Sequence, residues 1–287
     1  MLSIYKKELR VYFVTATGYV FTAFMLLSAG IYVSLLNFVY YSPAFEYVIK
    51  NMCFVLLIAV PLLTMRVFAD EKKQRTEQLL YILPVDMKSI VLGKFFALCT
   101  VSLIPCLIMC AYPLILSMYG AVNLKVAFGC IFAFFILQCA LSAIGMFTSS
   151  LTENQIIAAI LCFAILLVAY LIPSVAENIS AASNFTYRAF AAIAILLAIV
   201  VFLVSKRIIL SVILAAVILI PMSVIYIKFN SLLVGKFSAF AQCFAIFDRI
   251  NPFTNGVFDI TALIYMAAAA FVFICLTIQS ENRRRWR

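Results

Sequence analysis

The sequence predicts an all-α polytopic membrane protein with about eight transmembrane helices and an N-terminal amphipathic interface helix. Three observations lead there. Hydrophobic residues make up 67% of the 287 and charged residues 11%, against about 45–50% and about 25% in soluble domains. Mean hydropathy is +1.18, more apolar surface than a water-soluble chain of this size can hide. Eight stretches reach or approach the ~20 apolar residues that cross a ~30 Å hydrocarbon core: 17–41, 48–68, 91–118, 125–150, 155–174, 187–205, 208–228 and 258–279. This excludes a soluble enzyme, a disordered chain and a secreted disulfide scaffold.

Residues 1–16 come first. Leu2, Tyr5, Leu9, Tyr12 and Phe13 share one helical face and Lys6, Lys7 and Arg10 the other, the pattern of a helix lying on a membrane surface. Orientation of the spans follows from the basic residues, which collect on the cytoplasmic side. With the N-terminus inside and eight crossings, the inner segments carry a net +8 and the outer ones +2. Both termini are then cytoplasmic, and the tail Arg283-Arg284-Arg285-Trp286-Arg287 anchors the last span at the inner surface rather than binding nucleic acid. The pair 187–205 and 208–228 is broken only by Lys206-Arg207, so this region reads either as two crossings or as a bent or peripheral hairpin.

The chemistry of the chain is sparse. It has no histidine and no Cys-x-x-Cys pair, and most of its nine cysteines sit in apolar runs as small fillers. No charge lies near the centre of a span, where function alone usually retains one. Lys94, Arg66 and Asp259 fall at span ends, where they are expected to snorkel to water. Pro61, Pro105, Pro113, Pro173 and Pro221 read as helix kinks. Gly93-Lys94 and Gly235-Lys236 lack the remainder of a P-loop, so no ATP site is encoded. No catalytic residue, resident cofactor or metal site is expected.

The longest polar run is 65–97. Asp70 and Glu71 suit a helix N-terminus, Pro84 stops the helix, and Asp86 is placed to cap the next one. A short surface helix is therefore expected over 70–85 between the second and third spans. This segment resembles the coupling-helix region of ABC-2 type transporter permeases of the gliding-motility and nitrous-oxide-reductase-associated kinds. The matching residues are Met65, Arg66, Glu71, Lys72, Thr76, Glu77, Leu79, Leu80, Pro84, Val85, Gly93 and Lys94, with Arg75 where the family has glycine. Residues 145–160, GMFTSSLTENQIIAAI, are similar to the family's turn between spans four and five. Residues 250–266, INPFTNGVFDITALIYM, are similar to its element before the last span.

The resemblance implies a single permease domain over 1–287 on a six-span plan, with 187–228 as an added hairpin. It implies a bacterial cell-membrane exporter subunit without ATPase activity. ATP and Mg would be held by a separate nucleotide-binding subunit, and a second permease protomer, identical or related, would complete the channel. Leu79, Leu80 and Leu83 would anchor the coupling helix in a groove of the ATPase subunit, with Pro84 ending it. Glu71, Lys72, Lys73, Arg75 and Glu77 would act as rim charges around Thr76. Residues 237–257, with Asn251, Pro252 and Gly256, and Asp259 just beyond, would form an outer-leaflet re-entrant element. The competing reading is a non-ABC membrane carrier or a lipid-handling scaffold. The substrate is not encoded in any motif.

Overall fold

The computed structural model describes residues 1–39, 43–76, 86–179 and 245–285. Among these the chain is helical, with no strand. Six helical stretches are long and apolar enough to cross a membrane: Thr17–Val39, Glu46–Lys73, Met87–Ser117, Leu124–Leu151, Gln155–Pro173 and Ile260–Arg284. They coincide with six of the eight expected spans and give a multi-pass membrane protein. The other two, 187–205 and 208–228, lie outside the described residues.

The chain divides into two compact units, Met1–Leu167 with Phe247–Arg287, and Val168–Ile246. Of the second, the described residues are the C-terminal part of one helix and Ala245–Ile246. The first unit holds the bundle.

Helix α1 (Leu2–Val14) is followed by Ala16 in the left-handed region, φ +58°, and by α2 (Thr17–Val33), whose last turns widen into a π-helix at Ser34–Val39. The reversal at Ala16 brings Gly18 against the Tyr12 carbonyl, where a Cβ would lie 3.1 Å away. Helix α3 (Glu46–Thr64) leads into the short α4 (Ala69–Lys73). Helix α5 (Met87–Met109) breaks at Cys110 and resumes as α6 (Ala111–Ser117). Pro113 explains that break, because it has no N–H to return to the Met109 carbonyl. Asp86 stands at the N-cap position of α5 and engages it through its backbone carbonyl; its side chain makes no capping bond. Helix α7 (Leu124–Leu151) is followed by α8 (Gln155–Ile179), which is capped by Asn154 Oδ1 accepting from the Ile156 N–H at 2.9 Å. A 3₁₀ turn at Phe247–Ile250 and α9 (Asn251–Thr254) precede α10 (Ile260–Arg285).

Helix α7 is the centre of the bundle, packed against α10, α3 and α5. Lipid offers no hydrophobic drive for helix association, so close approach through small residues must supply it. Ala133, Ala140, Ala143 and Gly145 are all buried along α7. Helices α2, α8 and α10 instead turn large residues such as Val20, Leu27, Ile160 and Phe271 outward. Ala158, Cys162 and Leu166 form the buried stripe of α8 at four-residue spacing.

The tightest approach is between α7 and α3. A Cβ added at Gly145 would sit 2.2 Å from Thr64 Oγ1 and 2.8 Å from its Cβ. Thr64 is fully buried and β-branched, so it has little freedom to yield. Gly145→Ala is expected to cost about 1–3 kcal/mol through overpacking, read as a lower unfolding midpoint of the purified chain in detergent. Thr64→Ala in the same chain should recover part of that loss.

Candidate functional site

The polar chemistry of the described residues gathers at one end of the bundle. It is the end where α1 lies, α3 exits, α5 begins and α7 and α10 finish. Its backbone is the stretch from Thr64 to Thr76. The N–H groups at the start of α4 have no partner within the helix, and two of them find theirs on another helix. Ser149 Oγ of α7 accepts from the Phe68 and Ala69 N–H groups at 3.1 and 3.2 Å and donates to the Met65 carbonyl at 3.2 Å. One hydroxyl thus fixes both the exit of α3 and the start of α4.

Helix α4 ends in a Schellman motif. The Thr76 N–H returns to the Glu71 carbonyl at 3.0 Å and the Arg75 N–H to the Lys72 carbonyl at 3.1 Å. Arg75 takes the left-handed conformation, φ +57°, at the position where the resemblance has glycine.

Two buried ammonium groups hold this stretch. Lys94 of α5 is 2% exposed. Its Nζ lies 2.9 Å from Glu71 Oε1 of α4 and 3.2 Å from Glu8 Oε1 of α1, and donates to the Val67 carbonyl at 2.9 Å. These three acceptors match the three N–H bonds of an ammonium. Lys72 of α4 is 4% exposed; its Nζ is 2.7 Å from Glu281 Oε1 of α10 and also donates to the Ser150 carbonyl of α7. Phe68 lies beside both, with its ring centroid 5.0 Å from Lys94 Nζ and 6.0 Å from Lys72 Nζ, within cation–π range.

Around this dry centre lie wetter ties. Lys7 reaches Glu71 at 3.3 Å and Glu8 at 3.5 Å. Its partial burial works against the ammonium, but Glu71 and then Glu8 outweigh that and hold its pKa above the ordinary lysine value. Burial, then the charges of Glu8 and Glu71, push the Tyr12 phenol up. Arg66 pairs with Asp70 at 4.0 Å and donates to Thr17 Oγ1 at 3.2 Å. Arg284 pairs with Glu153 in the turn between α7 and α8. A cleft of about 370 Å³ between α1 and the 66–76 stretch is lined by Lys7, Glu8, Arg66, Asp70, Glu71 and Gln74, among others. Among the described residues no group of three or more Cys, Asp or Glu side chains is placed to hold a metal ion.

Several expectations change here. Lys94 does not snorkel; with Glu8 and Glu71 beside it, the interior is the better-solvated place for its charge. Glu71 and Lys72, expected on a rim, turn inward to Lys94 and Glu281, while Lys73, Gln74 and Arg75 are exposed and Thr76 is half-buried. Glu77, Leu79, Leu80, Leu83 and Pro84 lie outside the described residues. Helix α1 sets Tyr5 and Tyr12 on protein rather than on lipid: the Tyr5 hydroxyl meets Thr100 Oγ1 at 3.0 Å and the Tyr12 hydroxyl donates to the Leu63 carbonyl at 3.5 Å. Gly93 allows this, since a Cβ there would lie 3.2 Å from the Ile4 side chain. Phe68, Ser149 and Glu281 carry no local motif in the sequence. Glu8 carried a signal, being the one carboxylate on the same helical face as Tyr5 and Tyr12.

At the opposite end, residues 247–254 of the expected re-entrant element form helical turns. Phe247, Ile250 and Phe253 are buried, and α9 packs on α7 and α3. Asn251 and Pro252 open α9, and their carbonyls accept from the Asn255 and Val257 N–H groups at 3.1 and 3.0 Å. Gly256 turns the chain with φ +78°. Asp259 caps α10, accepting from the Thr261 N–H at 2.8 Å. Residues 237–244 lie outside the described residues. No family model, no curated protein and no solved structure matches the chain.

Two predictions follow from this geometry. Lys94→Met leaves Glu8 and Glu71 facing each other with only Lys7 between them, and should cost about 3 kcal/mol or more; Lys73→Met, at an exposed site, should stay within about 0.5 kcal/mol. Denaturation of both variants in one detergent checks the contrast. The hydrogen bonds from the Thr261 hydroxyl and N–H hold the Asp259 carboxyl below its ordinary pKa. Its stabilisation is therefore present above the unfolded value of 3.8 and is lost as pH falls through the lower folded value. The stability difference between the wild type and Asp259→Ala should accordingly shrink on acidification below that point.

Proposed function

We propose that this chain is the membrane-spanning permease subunit of an ATP-driven ABC transporter of the ABC-2 type, an exporter in which a separate subunit hydrolyses ATP. The observation that carries the reading is Arg75. The motif of the resemblance places glycine before Thr76, and this residue adopts the left-handed backbone that glycine favours. The left-handed turn at Arg75 supports the reading because it is a conformation that a glycine there would suit.

On this reading the charged end of the bundle is cytoplasmic, in keeping with the +8 to +2 division of charge. Residues 70–85 receive the ATPase subunit, with Leu79, Leu80 and Leu83 as apolar anchors and the exposed Lys73 and Arg75, with Glu77, as rim charges. Glu71 and Lys72 serve inside the permease, tying that segment to the bundle. A second protomer completes the pathway, and the cell membrane of a bacterium is its location. ATP and Mg belong to the partner subunit.

The test is copurification with the ATPase subunit and the ATP hydrolysis of the resulting complex. The permease alone should hydrolyse no ATP. Leu80→Asp should weaken subunit affinity about 30-fold, the loss of an anchor of about 2 kcal/mol. Lys73→Ala should act mainly on association rate and salt dependence. ATP hydrolysis by the permease free of any other protein would overturn the reading. So would wild-type complex formation by Leu80→Asp and Lys73→Ala alike.

A further inference from the structure

We propose that Glu281 is a positioning residue that makes the C-terminal end of the last helix move as one body with the coupling segment. The inference rests on the reading of 70–85 as that segment. Lys72 lies within the segment and Glu281 is 209 residues away on α10. The two charged groups are 2.7 Å apart, and their side chains are 1% and 3% exposed. Lys72 also donates to the Ser150 carbonyl, and Ser149 caps α4. Helix α4, the last turn of α7 and the end of α10 therefore meet at one dry junction.

Ties at this end yield differently under load. Separating a buried ion pair strands two charges without water, a strongly unfavourable outcome. An exposed pair exchanges its partner for water at almost no cost. The ion pairs of this end differ by that criterion, and the Lys7 side chain is 53% exposed in its pairs with Glu8 and Glu71. Arg66–Asp70 has side chains 43% and 31% exposed and Arg284–Glu153 has 34% and 64%. These can slip. Lys72–Glu281 cannot, so a displacement of α4 carries the end of α10 with it. The buried bonds of Ser149 and Ser150 tie the last turn of α7 to the same body, while the exposed Arg66–Thr17 contact to α2 is one that gives way. A permanent structural staple would not require charge, since well-packed apolar residues hold such a junction equally well. An ion pair adds direction: it fixes one atom of α4 to one atom of α10.

The experiment is pulsed dipolar spectroscopy on the complex of full-length permease and its copurifying ATPase subunit in lipid nanodiscs. Spin labels are carried at Gln74, Arg283 and Leu27 by a bio-orthogonal amino acid, so the nine native cysteines stay in place. Distances are compared between the nucleotide-free complex and the complex trapped with ATP and vanadate. The 74–27 distance, from the coupling segment to α2, should change on trapping, and the 74–283 distance should not. In Glu281→Ala the 74–283 distance should broaden and respond to trapping. Glu281→Asp, which keeps a carboxylate for Lys72, should hold the 74–283 distance nearer to the wild type than Glu281→Ala does, and both variants should unfold cooperatively in detergent, which a loss of folding would not allow. If 74–283 changes as much as 74–27 in the wild-type complex, or neither changes while the complex is intact, the inference is wrong and the permease reading stands. If no ATPase subunit copurifies, both fall together.

Discussion

A lysine at the end of a transmembrane helix ordinarily reaches for water. Lys94 turns the other way, and much of the polar end of this molecule follows from that. An ammonium removed from water must be neutralised and given three acceptors. Here one carboxylate comes from the first helix, one from the segment after the third, and a carbonyl from the turn between them. Helix α1 is thereby fixed to the bundle, with Gly93 beside Lys94 leaving the space for its close approach. Phe68 fills the gap between Lys94 and Lys72 with a ring face that favours both cations, so the two ion-pair centres form one cluster.

The bundle uses two kinds of adhesion, each suited to its depth. In the apolar zone there is no water to expel, and α7 holds its neighbours by small residues and close contact, most tightly where Gly145 meets Thr64. At the charged end water competes, and directional groups take over: a serine hydroxyl serving three backbone atoms and two buried lysines, each matched by carboxylates. The inner pairs are nearly neutral as a set, Lys7 and Lys94 against Glu8 and Glu71, and Lys72 against Glu281. The net positive charge of the chain is therefore carried by other residues, among them the exposed Lys6, Arg10, Lys73 and Arg75.

The six described spans were legible because a run of twenty apolar residues has few other fates, and their limits fell close to the apolar windows. The clamp was much less so. Whether Lys94 snorkels or turns inward depends on carboxylates 86 and 23 residues away in sequence, and no local pattern announces them. Lys72 and Glu281 are further apart still. Glu8 was visible in principle as a carboxylate in the tyrosine stripe of an otherwise basic helix, a placement that makes sense only if a cation faces it. Asp86 shows the opposite error: the residue type suggested a side-chain cap, but its backbone does the work. In the element before the last span, Phe247, Ile250 and Phe253 supply the buried surface that holds residues 247–254 in helical turns.

On the proposed reading, Arg75 marks a boundary between two tasks. Up to that residue the segment is tied into the bundle by groups shielded from water, so its attachment is stiff and insensitive to salt. Beyond it come Glu77, Leu79, Leu80 and Leu83, a sequence suited to reversible docking, with apolar anchors for affinity and charges for approach. A lever needs both properties in that order. If the docking part were held by exposed ion pairs alone, ions would screen it, and force from the ATPase subunit would be lost in rearranging side chains. If the base were held by apolar contact alone, α4 could slide over α7 and α10 at little cost, because one hydrocarbon surface is much like another. The buried lysines remove that freedom by assigning each ammonium to particular oxygens, so a displacement received at the tip arrives at α1, α5 and α10 with its direction preserved.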